Sequence, residues 1–264
     1  AVPVSSSRYK SDTYLRRHSD VPVDHQFDDR YTIFSLPYLF KGQEHYYNAM
    51  ANSQVIRELF NATEDAGYIA IGYYCNGARN FYLKDDVAVT SPAVLKGKKI
   101  RSMVSSTSMD MIEAMGGSPV PMSSSETYTS LQQGIVDGAE NTELALTVDK
   151  HEEIVKSYTY TEHQYTPDIY IISTKVWNKL SKEQQDYLLE CFSKLNDNFV
   201  QKYNQMMDDA MTEAESYGVH VYRDIDKTPF IEAVQPIHQN FLAKGDSYQK
   251  LYDDIQSYAE DTSK

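Results

Sequence analysis

Apolar positions along the chain change period several times, and each change marks an element. Tyr68-Ile69-Ala70-Ile71-Gly72-Tyr73-Tyr74 is a continuous apolar run of strand composition. Lys99-Ile100-Arg101 ends a second strand and Val120 lies in a third. Ile135-Val136 reads as a fourth, closed by the turn pair Asp137-Gly138. Asp168-Ile169-Tyr170-Ile171-Ile172-Ser173 and Val219-His220-Val221-Tyr222 add two more. Helical periods run between them. Glu44 to Phe60 carries Tyr47, Met50, Ile56, Leu59 and Phe60 on one face. Ser106 to Met115 ends at Gly116-Gly117. Ser123 with Glu126 forms a capping box before Tyr128 to Gln133. Ser91-Pro92 opens a short turn with Pro at the first helical position. Glu143 to Val155, Thr228 to Leu242 and Tyr248 to Tyr258 complete the set, with Pro236 expected to kink the second of these.

The longest period starts at the capping-box pattern Ser181-Lys182-Glu183-Gln184 and is stopped by Gly218. Its apolar stripe is Leu188, Cys191, Phe192, Leu195, Phe199, Tyr203, Met206 and Ala210. That stripe runs for about 22 residues, on the order of 33 Å at 1.5 Å per residue, long enough to brace two bodies.

Alternating strands and helices predict an α/β fold. In open α/β sheets ligands bind where strands give way to loops. Arg79, Arg101 and Asn141 fall at such places. An arginine there presents a planar fork of donors suited to a carboxylate or a phosphate.

Four segments in order carry a resemblance. They are Asn76-Gly77-Ala78-Arg79, Leu95-Lys96-Gly97-Lys98-Lys99-Ile100-Arg101, Gly117-Ser118-Pro119-Val120-Pro121-Met122, and Ser125-Glu126-Thr127-Tyr128 through Leu131-Gln132 to Asp137-Gly138-Ala139-Glu140-Asn141. The chain resembles the DctP-type substrate-binding proteins of TRAP (tripartite ATP-independent periplasmic) transporters. The resemblance implies a two-lobed, hinged fold of the periplasmic-binding-protein kind, with a long helix spanning both lobes. It places one lobe at 1–77 plus 167–206 and the other at 78–166 plus 207–264. It begins at Tyr31-Thr32-Ile33-Phe34 and the buried-looking turn Leu36-Pro37-Tyr38-Leu39-Phe40. Residues 1–30 are polar, without a period, and read as loop. The family has a longer amino-terminal part, so this region is truncated or divergent.

By resemblance, Arg101 grips the ligand carboxylate through two parallel hydrogen bonds and Arg79 is the second arginine near the ligand. Asn141 is the amide that bonds or orients that carboxylate, on a loop shaped by Asp137, Gly138 and Glu140. From the residues alone each arginine also reads as a surface side chain. Ser124 stands where many relatives carry Phe, and Val104 near a position that is polar in sialic-acid binders. Both argue against sialic acid. Tyr73, Tyr74 and Tyr128 are candidates either for pocket walls or for core packing.

Composition narrows the classes. The chain has 264 residues and a formal net charge of −13, without the basic stripe that nucleic acid requires. A local arginine pair still makes a positive cleft in an acidic protein. No apolar run approaches the roughly 20 residues of a membrane span. Cys75 and Cys191 match no redox or metal motif. The seven histidines form no H-E-x-x-H, and there is no G-x-S-x-G elbow, P-loop or G-x-G-x-x-G turn. With the resemblance, the reading is a receptor, not an enzyme, with no cofactor. It is expected to be a monomer outside the cytoplasm that captures a small organic acid for TRAP membrane subunits. A sensory or scavenging binding protein, and a hydrolase or lyase of a carboxylated metabolite, stay open as alternatives.

Overall fold

The computed structural model describes residues 28–75 and 77–259, so the loop expected at the amino terminus lies largely outside the described residues. In chain order the elements are α1 (Gln43–Asn52), α2 (Gln54–Asn61), β1 (Tyr68–Cys75), β2 (Arg79–Leu83), α3 (Pro92–Leu95), β3 (Lys99–Ser102), α4 (Ser106–Ala114) and β4 (Ser118–Pro121). Then follow α5 (Ser124–Gln132), β5 (Gly138–Asn141), α6 (Glu143–Val148), β6 (Ser157–Gln164), β7 (Pro167–Ser173) and α7 (Thr174–Trp177). The chain closes with α8 (Lys182–Ser216), β8 (His220–Tyr222), α9 (Thr228–Ala233), α10 (Gln235–Leu242) and α11 (Asp246–Ser257).

Two sheets organise these elements. β1 and β7 form an antiparallel ribbon, and a six-stranded sheet has the order β4-β3-β5-β2-β6-β8. In the larger sheet β3 runs parallel to β4 and β5, while β2 is antiparallel to both β5 and β6. The carboxyl ends of β3, β4, β5 and β6 and the amino end of β2 therefore share one edge. At that edge the chain crosses to the ribbon twice, through residues 75–79 and 164–167. The fold is the α/β architecture that the alternation predicted, in the two-lobed form that the resemblance implied.

Burial follows the same division. Tyr46, Phe60, Tyr68 and Ile169 lie in one apolar cluster around the ribbon. The two faces of the large sheet carry two more. Phe81 and Ile100 pack with Met111, Ile112, Phe230 and Val234 on one face. Tyr82, Ala139 and Tyr158 pack with Leu131, Leu146, Met211 and Ala214 on the other. The expected division gave all of 207–264 to the second lobe, and here the structure differs. Phe241, Leu251 and Ile255 belong to the cluster around the ribbon. The reason is polar as well as apolar: the Ile255 carbonyl meets His45 Nε2 at 2.8 Å, which seats α11 on α1.

Helix α8 runs 35 residues, about 50 Å at 1.5 Å per residue. Its capping box is formed as the sequence predicted. Its first half packs on the ribbon, with the Phe192 and Tyr170 rings 4.6 Å apart and Phe199 and Tyr74 5.1 Å apart. Its second half covers the large sheet. The buried stripe there is Tyr203, Met207, Ala210, Met211 and Ala214, whereas the expected Met206 and Leu195 are exposed. The predicted i+3 step after Tyr203 is an i+4 step.

Other expectations need correcting. The helix expected over 44–60 breaks at Ser53, whose extended backbone lets its Oγ cap α2 by accepting from Ile56 N at 2.9 Å. The helix expected over 143–155 ends at Val148, because Lys150 takes a left-handed conformation (φ 59°). The break between α9 and α10 falls at Val234, which leaves Pro236 in the first turn of α10, where its missing N–H costs nothing. Ile135-Val136 is not a strand. The strand begins at the second residue of the turn pair, Gly138. A side chain at Gly138 would lie 2.4 Å from the Tyr82 carbonyl oxygen, so glycine lets β5 enter the sheet there. Strands β2 and β6 were not foreseen.

Candidate functional site

The shared edge of the large sheet collects the polar residues that matter. β2 opens with Arg79, β3 delivers Arg101 and β5 ends with Asn141. Arg101 pairs in register with Val120 on one side and Ala139 on the other, and Asn80 pairs with Asn141. Parallel strands thus bring one arginine and one amide, 40 positions apart, to adjacent strand ends.

Arg101 is 3% exposed. The Met122 carbonyl, just past β4, accepts from Arg101 Nε at 3.2 Å and from Nη2 at 2.9 Å. That contact fixes one edge of the guanidinium and hence the plane of its fork. The Met122 N–H donates to the Ser102 carbonyl at 3.2 Å, which holds Met122 beside β3 at the strand end.

Arg79 is placed differently. Its Nε donates to Glu140 Oε2 at 2.5 Å, its Nη2 to Glu140 Oε1 and to the Glu140 carbonyl at 2.9 Å each, and its Nη1 to Asn141 Oδ1 at 3.0 Å. Four of the five N–H groups of a guanidinium are so committed to protein. Burial disfavours the Glu140 carboxylate, but Arg79 and the neighbouring His163 outweigh it and hold the carboxyl down to about 2. Burial in turn lowers His163, against the pull of Glu140, so its imidazole is neutral at physiological pH. Its Nε2 lies 3.4 Å from Glu140 Oε2 and its Nδ1 2.8 Å from Thr161 Oγ1.

This network sets the orientation of Asn141. Its Oδ1 accepts from Arg79 Nη1 and from the Thr142 backbone N–H at 2.9 Å. Two donors on one oxygen identify that atom as the carbonyl, which leaves Nδ2 as the donating end. The Tyr158 hydroxyl donates to the Asn141 carbonyl at 3.1 Å and accepts from Asn80 Nδ2 at 3.0 Å, so the backbone of Asn141 is pinned too.

Ser124 and Tyr128 are bonded elsewhere. Ser124 donates to Asp149 Oδ2 at 3.1 Å, and Tyr128, one turn along α5, donates to Glu153 Oε2 at 2.8 Å. Both tie α5 to the segment after α6. Tyr73 lies in β1 against the first apolar cluster, its ring 6.4 Å from Phe60. Residues that the sequence reading passed over are His163, Tyr158, Tyr82 and His151. Tyr82 shares the sheet row of Arg101, with Ala139 between them, and its hydroxyl meets His151 Nδ1 at 2.9 Å. Burial pushes that imidazole down to about 4. No spacing in the sequence links these positions, because β2 and β6 lack a clean period. Among the described residues no cluster of three or more His, Cys, Asp or Glu side chains is arranged to hold a metal ion, and no helix is long and apolar enough to cross a membrane.

Comparison with known proteins agrees with this fold. Residues 17–245 match the pattern of the bacterial extracellular solute-binding proteins, family 7 (DctP). The uncharacterized protein YiiZ of Salmonella typhimurium is 42% identical over 88% of this chain and 70% of its own length. The chain spans about two thirds of the length of such relatives. Among solved structures, a TRAP periplasmic solute-binding protein from Anaerococcus prevotii with bound D-glucuronate superposes with a TM-score of 0.87 at 35% identity, covering 94% of this chain and 80% of that one. A Bradyrhizobium TRAP periplasmic solute-binding protein in complex with D-galacturonate gives 0.83 at 31% identity, covering 92% and 80%. The family is one of substrate-binding receptors, not enzymes. This chain belongs to it: it is a DctP-type, family 7 bacterial extracellular solute-binding protein.

Proposed function

We propose that this chain is the extracytoplasmic receptor of a TRAP-type transporter and that its ligand is a sugar acid, a uronate or an aldonate. The observation that carries this is the buried Arg101, its guanidinium held by the Met122 carbonyl at the mouth of the sheet beside Asn141. Its planar fork suits a carboxylate in the bidentate geometry that arginine favours. Asn141 Nδ2 adds a third donor. Arg79 serves as a positioning residue: it orients the amide and leaves one Nη1 hydrogen for the ligand. Ser124, Tyr128 and Tyr73, bonded or packed elsewhere, have a supporting role at most in this reading.

The lobes, assigned to 1–77 plus 167–206 and to 78–166 plus 207–240, with α11 moved to the first, close about the two crossovers and bury the ligand. Closure is a population shift driven by the ligand's greater affinity for the closed state. The closed form docks on TRAP membrane subunits, and the receptor works as a monomer in the periplasm. The relatives bound to D-glucuronate and D-galacturonate support a sugar acid over a plain dicarboxylate.

The test is a thermal-shift and calorimetric panel of D-glucuronate, D-galacturonate, D-erythronate and succinate. A ligand at 100 times its Kd adds about 2.7 kcal/mol to stability. Binding of a sugar acid that disappears in Arg101→Ala supports the proposal. Sugar-acid binding unchanged in that variant overturns it.

A further inference from the structure

Two residues beyond Asn141 the chain buries a carboxyl group. Glu143 is the first residue of α6 and is 7% exposed. Among the described residues its Oε2 meets no hydrogen-bond partner, and neither does the Tyr203 hydroxyl of α8. Tyr203 stands against the first crossover: a side chain on Gly77 would meet the Tyr203 hydroxyl at 2.9 Å. An orphaned buried carboxyl and an orphaned hydroxyl thus lie where α6, α8 and the hinge converge. Either is costly if it stays unpaired, and the carboxyl far more so when ionised.

The surroundings are almost all neutral. Tyr158, Tyr160 and Glu162 act on Glu143 from β6, Tyr165 from just after it, Tyr203 from α8, Cys75 from the end of β1 and Arg223 from beyond β8. Burial pushes the Cys75 thiol up to about 12 and raises all four tyrosines. Arg223 is the one cation among them, and it lies over the Tyr160 ring, 5.2 Å from its centre, and 3.6 Å from Glu215. Burial pushes the Glu143 carboxyl up to about 7, against the pull of its own backbone N–H, Tyr160 and Arg223, with Glu162 adding to the rise. At the anion site Glu140 is held at about 2 and His151 at about 4, so neither changes charge near neutrality.

We propose that Glu143 is a proton-controlled latch on the hinge, which couples the binding of one proton to the binding of the acid ligand. Protonated, the carboxyl stays packed between α6, β6 and α8 and holds the Asn141 end of β5 in its ligand-ready position. Ionised, it is drawn toward Arg223 and water, and α6 carries the Asn141 end of β5 with it. Acid conditions then favour capture and alkaline conditions favour release. The inference rests on the sugar-acid reading only for its ligand probe.

The experiment measures the Kd of D-glucuronate by calorimetry between about pH 5.5 and 8.5 in the intact protein; one linked proton limits the slope of log Kd against pH to about one. The expected result is affinity that weakens severalfold through neutrality in the native protein and stays flat in Glu143→Gln. Glu152→Gln is the control. Glu152 lies in the turn at the other end of α6, faces Glu213 of α8 and is likewise raised by burial. It should leave the slope intact. A flat native profile, or one that survives in Glu143→Gln, overturns the latch. If D-glucuronate fails to bind at any pH, the ligand reading fails and the latch is tested without ligand. Spin labels on the exposed Cys191 and on Glu113→Cys report the distance between the lobes. A pH-dependent distance that Glu143→Gln abolishes supports the latch, and a constant distance overturns it.

Discussion

Arg79 and Glu140 face each other inside the protein through two parallel contacts, Nε to Oε2 and Nη2 to Oε1 at 2.9 Å, and the pair has a third partner in His163. The arginine that the resemblance implies beside the ligand is therefore neutralised by the chain itself. Breaking one half of a buried pair strands the other charge and costs about 3–5 kcal/mol. Glu140→Gln should lower stability by that amount in urea titration. The pH dependence follows from the sign of the shift. A carboxyl held at about 2 in the folded protein, against an ordinary 4.5, stabilises the fold above 4.5 and loses that contribution as pH falls toward 2. The native protein should lose stability across that acid window more steeply than Glu140→Gln does.

Asn141→Asp tests the amide. The Asp carboxylate still accepts from Arg79 and from Thr142 N–H, so the fold should be nearly unchanged. The Nδ2 donor becomes an acceptor with negative charge, which repels a ligand carboxylate. Affinity for D-glucuronate should fall by at least about 100-fold, or roughly 3 kcal/mol, with the melting temperature of the free protein within a few degrees of native. A variant that binds as the native protein does would remove Asn141 from the site.

Charge and geometry separate at Arg101. Arg101→Lys keeps the charge and loses the planar fork, while Arg101→Ala loses both. Binding should weaken by about tenfold to 100-fold in the lysine variant and by about 3–5 kcal/mol in the alanine variant, as read by calorimetry. Equal loss in both would show that the bidentate geometry, and not charge alone, carries the affinity.

Much of this was legible in the chain because local chemistry agreed with the final packing. The capping boxes at Ser123 and Ser181, the apolar run of β1 and the pivot at Gly77 are written in contiguous residues. The adjacency of Arg101 and Asn141 is not, since it comes from the parallel pairing of β3 with β5. The partners of Arg79 were hidden for a related reason. Glu140 read as a loop residue because Asp137-Gly138 was taken to end a strand that in fact begins there. His163 lies on β6, where Tyr158-Thr159-Tyr160-Thr161 mixes hydroxyls into a buried strand and erases the apolar signal. The place of α11 depends on which lobe offers it an apolar face, and no pattern within α11 records that.

The last prediction concerns the hinge. Gly77 has φ 85°, a conformation that costs an L-residue about 1 kcal/mol. An added Cβ would also lie 2.9 Å from the Tyr203 hydroxyl and 3.0 Å from its Cε1. Gly77→Ala should therefore destabilise by more than the backbone penalty alone, because α8 has to shift away from the crossover. Tyr203→Phe should be close to neutral, since the hydroxyl it removes is buried and meets no partner among the described residues. In the Tyr203→Phe background the cost of Gly77→Ala should shrink but not vanish: the ring carbon and the backbone penalty remain. A double-mutant cycle in urea measures the difference directly. Strict additivity of the two changes would show that α8 does not press on the crossover, and the long helix would then lose its place as the brace of the hinge.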